Sequence, residues 1–170
     1  MAGTAGVSIV RLTTSERNAF LEAEMVRYAE AKSRAGVWTP DEAPARAREE
    51  IEQLLHGRPE LRGHRFYKAL DGSRREIGWA WIGPVPGTEA DRRTRWLFQI
   101  LVKEEFRGQG FGRALLRAAE ERAASDGAEM LGLNVWAFND VARSLYESSG
   151  YETVARYPAG TEMRKHLASK

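Results

Sequence analysis

The sequence predicts one mixed α/β domain, a twisted mixed sheet flanked by helices, and three observations carry the prediction. At 170 residues the chain can bury a single sizeable core. Its apolar residues switch several times between a helical period and a strand-like one. In the second half, a strand, a glycine-rich loop, an amphipathic helix and another strand follow one another without interruption. If those two strands are parallel, the crossover between them is right-handed.

The elements follow in order. VSIVRL (7–12) reads as a short strand. TTSERNAFLEAEMVRYAEAKSRAG (13–36) places Phe20, Leu21, Met25 and Tyr28 on one side of a helix, with Ser15 as its N-cap and Gly36 as its stop. A second helix is expected within TPDEAPARAREEIEQLLHG (39–57), capped by Thr39, with Pro40 in its first turn and Gly57 at its end. After Pro59 the period becomes strand-like. HRFYKAL (64–70) and EIGWAWIG (76–83) flank DGSRR, which carries the Asp-Gly signature of a hairpin turn. PVPGTEADRRT (84–94) is a polar loop. RWLFQILV (95–102) is apolar on both faces except at Gln99, as expected for a strand inside a sheet.

The glycine loop comes next, then a helix with the stripe Phe111, Ala114, Leu115, Ala118, Ala119 and Ala123. EMLGLNV (129–135) reads as a strand, and NDVARSLYESSG (139–150) as a short helix capped by Asn139 and closed at Gly150. YETVARY (151–157) and TEMRKHL (161–167) end the chain as strands joined by the PAG turn. The expected order is β-α-α-β-β-β-α-β-α-β-β, with about six to seven strands in a single domain over 1–170.

Composition removes whole classes of chemistry. The chain has no cysteine, which excludes disulfides, thiolate nucleophiles and cysteine-held metals. His56, His64 and His166 are scattered without metal-ligand spacing, so no metal is expected. A formal net charge of +2 gives no electrostatic case for nucleic acid, even with small basic clusters at Arg74–Arg75 and Arg92–Arg95. No signal-like segment, membrane-length apolar run or myristoylation pattern is present, and a cytoplasmic protein without membrane contact is expected.

KEEFRGQGFGRALL (103–116) carries the functional signal. A helix begins with backbone N–H groups that lack internal partners and with partial positive charge, so a loop delivering a strand into a helix can hold an anion. Gly108, Gly110 and Gly112 let successive N–H groups converge and let an oxyanion approach without meeting a Cβ. Arg107 and Arg113 could add charge-assisted contacts. The plain alternative is a tight turn with no ligand. The dinucleotide fingerprint fails, because Arg113 stands where its last glycine belongs, and the G-x-x-x-x-G-K-[ST] pattern is absent. What remains is [Q/R]-x-x-G-x-[G/A], spelled Arg107-Gly108-Gln109-Gly110-Phe111-Gly112.

That loop resembles the acetyl-coenzyme A loop of the GNAT superfamily of N-acetyltransferases. A second match, NDVARSLYESSGY (139–151), resembles the family's later signature, and one helix and one strand separate the two, as in the family. The resemblance covers roughly residues 96–157 and implies a GNAT-like fold with its cofactor-binding core at about 95–157. It implies acetyl-coenzyme A as co-substrate, its diphosphate on residues 107–112 with Arg113 beside them, and its pantetheine along Ile100, Leu101 and Val102. Asn139 would reach the cofactor from the far side of a cleft between splayed strands. Tyr146, whose other reading is a core tyrosine, would be the acid for the departing thiolate. A backbone N–H near Val102 would meet the oxyanion. The acceptor would be a primary amine of a small molecule or peptide, and a homodimer is the assembly the resemblance implies.

The sequence departs from the family at the base. Many relatives carry a carboxylate on the strand before the loop, where this chain has only Gln99. Glu22, Glu24 and Glu30 on the first helix are possible substitutes, each also readable as a solvated helix charge, whereas Glu104 and Glu105 read as surface. Trp38, Trp79, Trp81 and Tyr157 could wall the acceptor site, and Asn134 reads equally as a buried or a cleft residue. The missing strand carboxylate leaves a non-catalytic acyl-coenzyme A-binding or sensing domain as the alternative.

Overall fold

The computed structural model describes residues 6–55, 62–88, 91 and 93–168. Seven strands form one sheet in the order β1-β2-β3-β4-β5-β7-β6. They are β1 (Ser8–Arg11), β2 (Arg65–Leu70), β3 (Glu76–Pro84), β4 (Thr94–Val102), β5 (Met130–Trp136), β6 (Glu152–Arg156) and β7 (Gly160–His166). Only the central pair, β4 and β5, runs parallel; every other neighbouring pair is antiparallel. Helices α1 (Thr14–Arg34) and α2 (Ala43–Leu54) precede β2, α3 (Phe111–Ser125) joins β4 to β5, and α4 (Asp140–Glu147) follows β5.

Each face of the sheet has its own helices. Leu116, Ala119 and Ala123 of α3 and Tyr146 of α4 pack with Tyr67, Leu97, Leu131, Leu133 and Val135. On the opposite face, Phe20, Leu21 and Met25 of α1 and Ile51 of α2 pack on Phe66 and Trp81. Fully burying such aliphatic and aromatic side chains stabilises the fold by about 1.5–3 kcal/mol each.

Local signals differ from the sequence expectation in three places. Thr13, not Ser15, caps α1: its hydroxyl accepts from the Glu16 N–H at 3.3 Å, and the Glu16 carboxylate accepts from the Thr13 N–H at 2.8 Å. That reciprocal box outcompetes a lone serine two residues later. The second helix starts at Ala43 rather than beside Thr39, with Pro44 in its first turn in place of Pro40, and Gly57 lies outside the described residues. In the hairpin the left-handed position falls to Arg74 (φ 63°), not Gly72, because Asp71 accepts from the Ser73 and Arg75 N–H groups and fixes a three-residue loop.

The cleft originates in β4. β3 pairs Ile82 with Leu97 but Trp81 with Gln99, so Phe98 is an extra, bulged residue. Pairing of β4 with β5 ends at the same place, with Leu97 opposite Leu133. Beyond it β4 stays with β3 as far as Val102, and β5 stays with β7 as far as Trp136. The two central strands therefore part, leaving one edge of β4 without a strand beside it.

Candidate functional site

A cleft of about 1240 Å³ occupies the gap where β4 and β5 separate. Because the gap passes through the sheet, residues from both faces line it. From the α3 side come Arg107, Gly108, Gly112, Asn139 and Tyr146, and from the α1 side Glu24, Arg27, Tyr28, Phe98 and Gln99.

The open edge of β4 has a definite polarity. The Lys103 N–H donates to the Ile77 carbonyl on β3, so the alternate residues Val102 and Ile100 turn their polar groups to the opposite edge, toward the cleft. The Ile100 N–H there donates to the Gln99 side-chain oxygen at 3.1 Å, and the Val102 carbonyl accepts from Arg107 Nε at 3.1 Å. Of the predicted pantetheine strand, the Val102 N–H is thus the donor facing the cleft that no side chain among the described residues engages.

The loop after β4 adopts the geometry its glycines permit. Gly108 (φ 72°) and Gly110 (φ 83°) are both left-handed, and an added Cβ at either would meet nothing within 4 Å. What the loop needs from glycine is backbone conformation rather than space. Gly110 caps α3 without any side-chain hydrogen bond, so the first N–H groups of α3 have no resident oxygen. Gln109 fastens the loop by donating to the Glu105 carbonyl at 2.9 Å. This curled, uncapped backbone beside Arg107 fits a diphosphate.

Eight of the predicted cofactor residues line the cleft: Ile100, Leu101, Val102, Arg107, Gly108, Gly112, Asn139 and Tyr146. Gln109, Gly110, Phe111 and Arg113 lie beyond its lining. Phe111 packs edge-on to Phe106, and Arg113 ties α3 to the end of α4, donating to Ser148 Oγ at 2.7 Å and Ser149 Oγ at 3.2 Å. Asn139 caps α4 through its side-chain oxygen, which accepts from the Ala142 N–H at 3.1 Å, leaving the amide nitrogen as the atom for a ligand. Tyr146 is buried, and burial pushes its phenol up to about 12, so it is protonated throughout the neutral range.

The carboxylates of α1 differ sharply in their surroundings. Glu22 is exposed and paired with Arg48 at 2.8 Å, and Glu30 is exposed. Glu24 is 6% exposed and lines the cleft. The Gln99 amide nitrogen donates to both of its oxygens, at 2.9 and 3.1 Å, and Arg27 Nε donates to Oε2 at 2.9 Å. Because the Gln99 oxygen is committed to the Ile100 N–H, its NH2 is directed to Glu24. Burial raises the Glu24 carboxyl above its ordinary value, and the Gln99 bond and the Arg27 charge only partly offset this.

Of the predicted aromatic wall, Trp81 and Tyr157 line the cleft. Trp38 is instead buried among Ala29, Ala43 and Ala47, and Trp79 packs against the α1 cluster. Asn134 is an exposed cleft residue. Four further aromatic residues line the cleft, Tyr28, Trp96, Phe98 and Trp136, of which the sequence marks only Tyr28, and that as part of a helix's apolar side. Phe98 stacks on Trp81 with centroids 4.7 Å apart, and Tyr28 of α1 reaches Trp136 of β5 at 6.2 Å. Among the described residues no group of histidines and carboxylates could hold a metal, and no helix is long and apolar enough to cross a membrane.

The parallel pair parts beside a curled, uncapped loop before α3, and Tyr146 of α4 lines the same cleft. The sequence model of the acetyltransferase (GNAT) family matches residues 19–151, and the chain belongs to that family. It is 29% identical over 146 residues to the uncharacterised N-acetyltransferase YycN of Bacillus subtilis, covering 86% of this chain and 92% of that protein. To YdgE of the same organism it is 28% identical, covering 92% and 95%. The crystal structure of YycN superimposes with a TM-score of 0.81, at 27% identity, over 89% of this chain and 95% of that one. A likeness of fold alone, at 19% identity and a TM-score of 0.65 over 95% of both chains, links it to the spermidine N-acetyltransferase of Vibrio cholerae, solved with coenzyme A and spermine.

Proposed function

We propose that the protein transfers an acetyl group from acetyl-coenzyme A to a primary amine by direct attack within this cleft. The observation that carries the reading is a single opening through the sheet with a phosphate-type loop and Tyr146 on one side and a buried carboxylate, Glu24, on the other. Acetyl-coenzyme A supplies a thioester, whose carbonyl carbon an amine attacks and whose thiolate leaves.

The residues divide that work. The backbone of 107–112 and Arg107 take the diphosphate, and the Asn139 amide steadies the cofactor from the far wall. Glu24, held by Gln99, accepts the proton the amine must lose. The Val102 N–H on the open edge of β4 donates to the carbonyl oxygen as charge develops there. Tyr146, protonated at neutral pH, gives its proton to the departing sulfur. Glu24 supplies from α1 the carboxylate that β4 lacks, which favours an enzyme over a binding domain.

Thermal denaturation with acetyl-coenzyme A at about 100 times Kd should add about 2.7 kcal/mol. For a domain of this size that is a rise of about 5–10 °C. Thiol release with an amine panel should then show turnover. Absence of any shift refutes cofactor binding, and a shift without turnover on any amine refutes the enzyme.

A further inference from the structure

This inference rests on the acyl-transfer reading and names its acceptor. One face of α1, at positions i, i+3, i+4 and i+8, presents Glu24, Arg27, Tyr28 and Lys32 to the cleft. Each carboxylate on this wall already has a cation beside it. Arg27 Nε lies 2.9 Å from Glu24 Oε2, and Lys32 Nζ lies 3.6 Å from Glu50 Oε2, which also accepts from the Tyr28 hydroxyl at 2.7 Å. Among the described residues, two carboxylates and two cations leave the acceptor half with no net charge. A polyamine gains little there, because every ammonium beyond the first would have to displace a resident cation.

What the wall does offer is an anion and a cation side by side. Arg27 spends Nε on Glu24, and its guanidinium is anchored over the Phe20 ring at 5.6 Å. Its side chain remains 31% exposed, so the Nη donors of its planar fork can serve a ligand. An α-amino acid carries an ammonium and a carboxylate on one carbon, the electrostatic complement of this pair. Around the pair the cleft is apolar and aromatic, with Trp96 and Phe98 on β4 and Ile51 and Leu54 on α2. We infer that the acceptor is a free α-amino acid with an apolar or aromatic side chain, its amine at Glu24 and its carboxylate on Arg27. Arg27 is then the residue that sets specificity.

The test measures thiol release from acetyl-coenzyme A by the full chain with L-phenylalanine, L-leucine, their decarboxylated amines phenethylamine and isoamylamine, and spermidine. One charge-assisted pairing predicts a kcat/KM ratio of amino acid to decarboxylated amine of roughly 10- to 100-fold. Arg27→Gln should bring that ratio toward one, and Arg27→Lys should retain part of it. The ratio is the readout because Arg27 also holds Glu24, and a general loss of activity cancels from it. A preference for phenethylamine or spermidine, or a ratio unchanged in Arg27→Gln, would overturn the assignment while leaving acyl transfer standing. Failure of every amine would overturn the acyl-transfer reading and this assignment with it.

Discussion

Replacing Glu24 with Gln separates chemistry from stability more cleanly than any other change in the cleft. The substitution keeps the shape of the side chain and an oxygen to accept from Gln99 or Arg27, but not the capacity to take a proton. Loss of a positioned base costs about 100- to 10,000-fold in rate, or about 3–5 kcal/mol of barrier. Stability should move the other way. Burial holds the Glu24 carboxyl above its ordinary value. Between that value and the raised one, the folded state binds more protons than the unfolded chain. Stability therefore falls as pH rises through the window and is level above it. Glu24→Gln removes that dependence, so its melting temperature at pH 7 should equal or exceed that of the parent. Its kcat/KM should fall at least 100-fold and lose the acidic limb of the pH profile. The assay is thiol release against pH, paired with thermal denaturation at the same pH values. Turnover within threefold of the parent with an unaltered profile would refute the base assignment. A fall in melting temperature matching the loss of rate would show that Glu24 is a structural ion-pair member instead.

Two further substitutions probe the other wall and the loop. Tyr146→Phe should lower kcat about 100-fold while the acetyl-coenzyme A thermal shift persists. With its phenol pushed up to about 12, Tyr146 adds no alkaline limb below about pH 11; disappearance of a limb near pH 8–9 in the variant would contradict this. Gly110→Ala meets no atom within 4 Å but must hold φ 83°, so it should cost about 1–2 kcal/mol. It should also weaken acetyl-coenzyme A binding measured by calorimetry, and unchanged affinity would show that the loop conformation is not what binds.

How far the sequence reached depends on the range of each interaction. The order of elements along the chain, the glycine-rich turn into α3 and the Asn139 cap are written in local patterns, and they stand in the structure as expected. The competition between two hydroxyls for the start of α1 is also local, and the Glu16 box was there to be weighed. The carboxylate at the cleft was only half legible: Glu24 follows Phe20 by four residues and Leu21 by three, on the apolar side of α1 from which Glu22 and Glu30 turn away. What local pattern could not show is its partner, Gln99, 75 positions away, and its place in the cleft. Gln99 in turn faces α1 only because the bulge at Phe98 shifts the alternation of β4 by one. Without the extra residue, Gln99 would lie on the α3 face beside Leu97 and Ile100 would turn to α1. The same irregularity ends the pairing with β5. One inserted residue therefore both opens the cleft and aims an amide at the carboxylate. In an apolar run such as WLFQILV, a bulge leaves no periodic trace, since both faces are apolar either way. The lone glutamine in that run, which cannot itself take a proton, is the residue that holds the Glu24 carboxylate on the neighbouring helix.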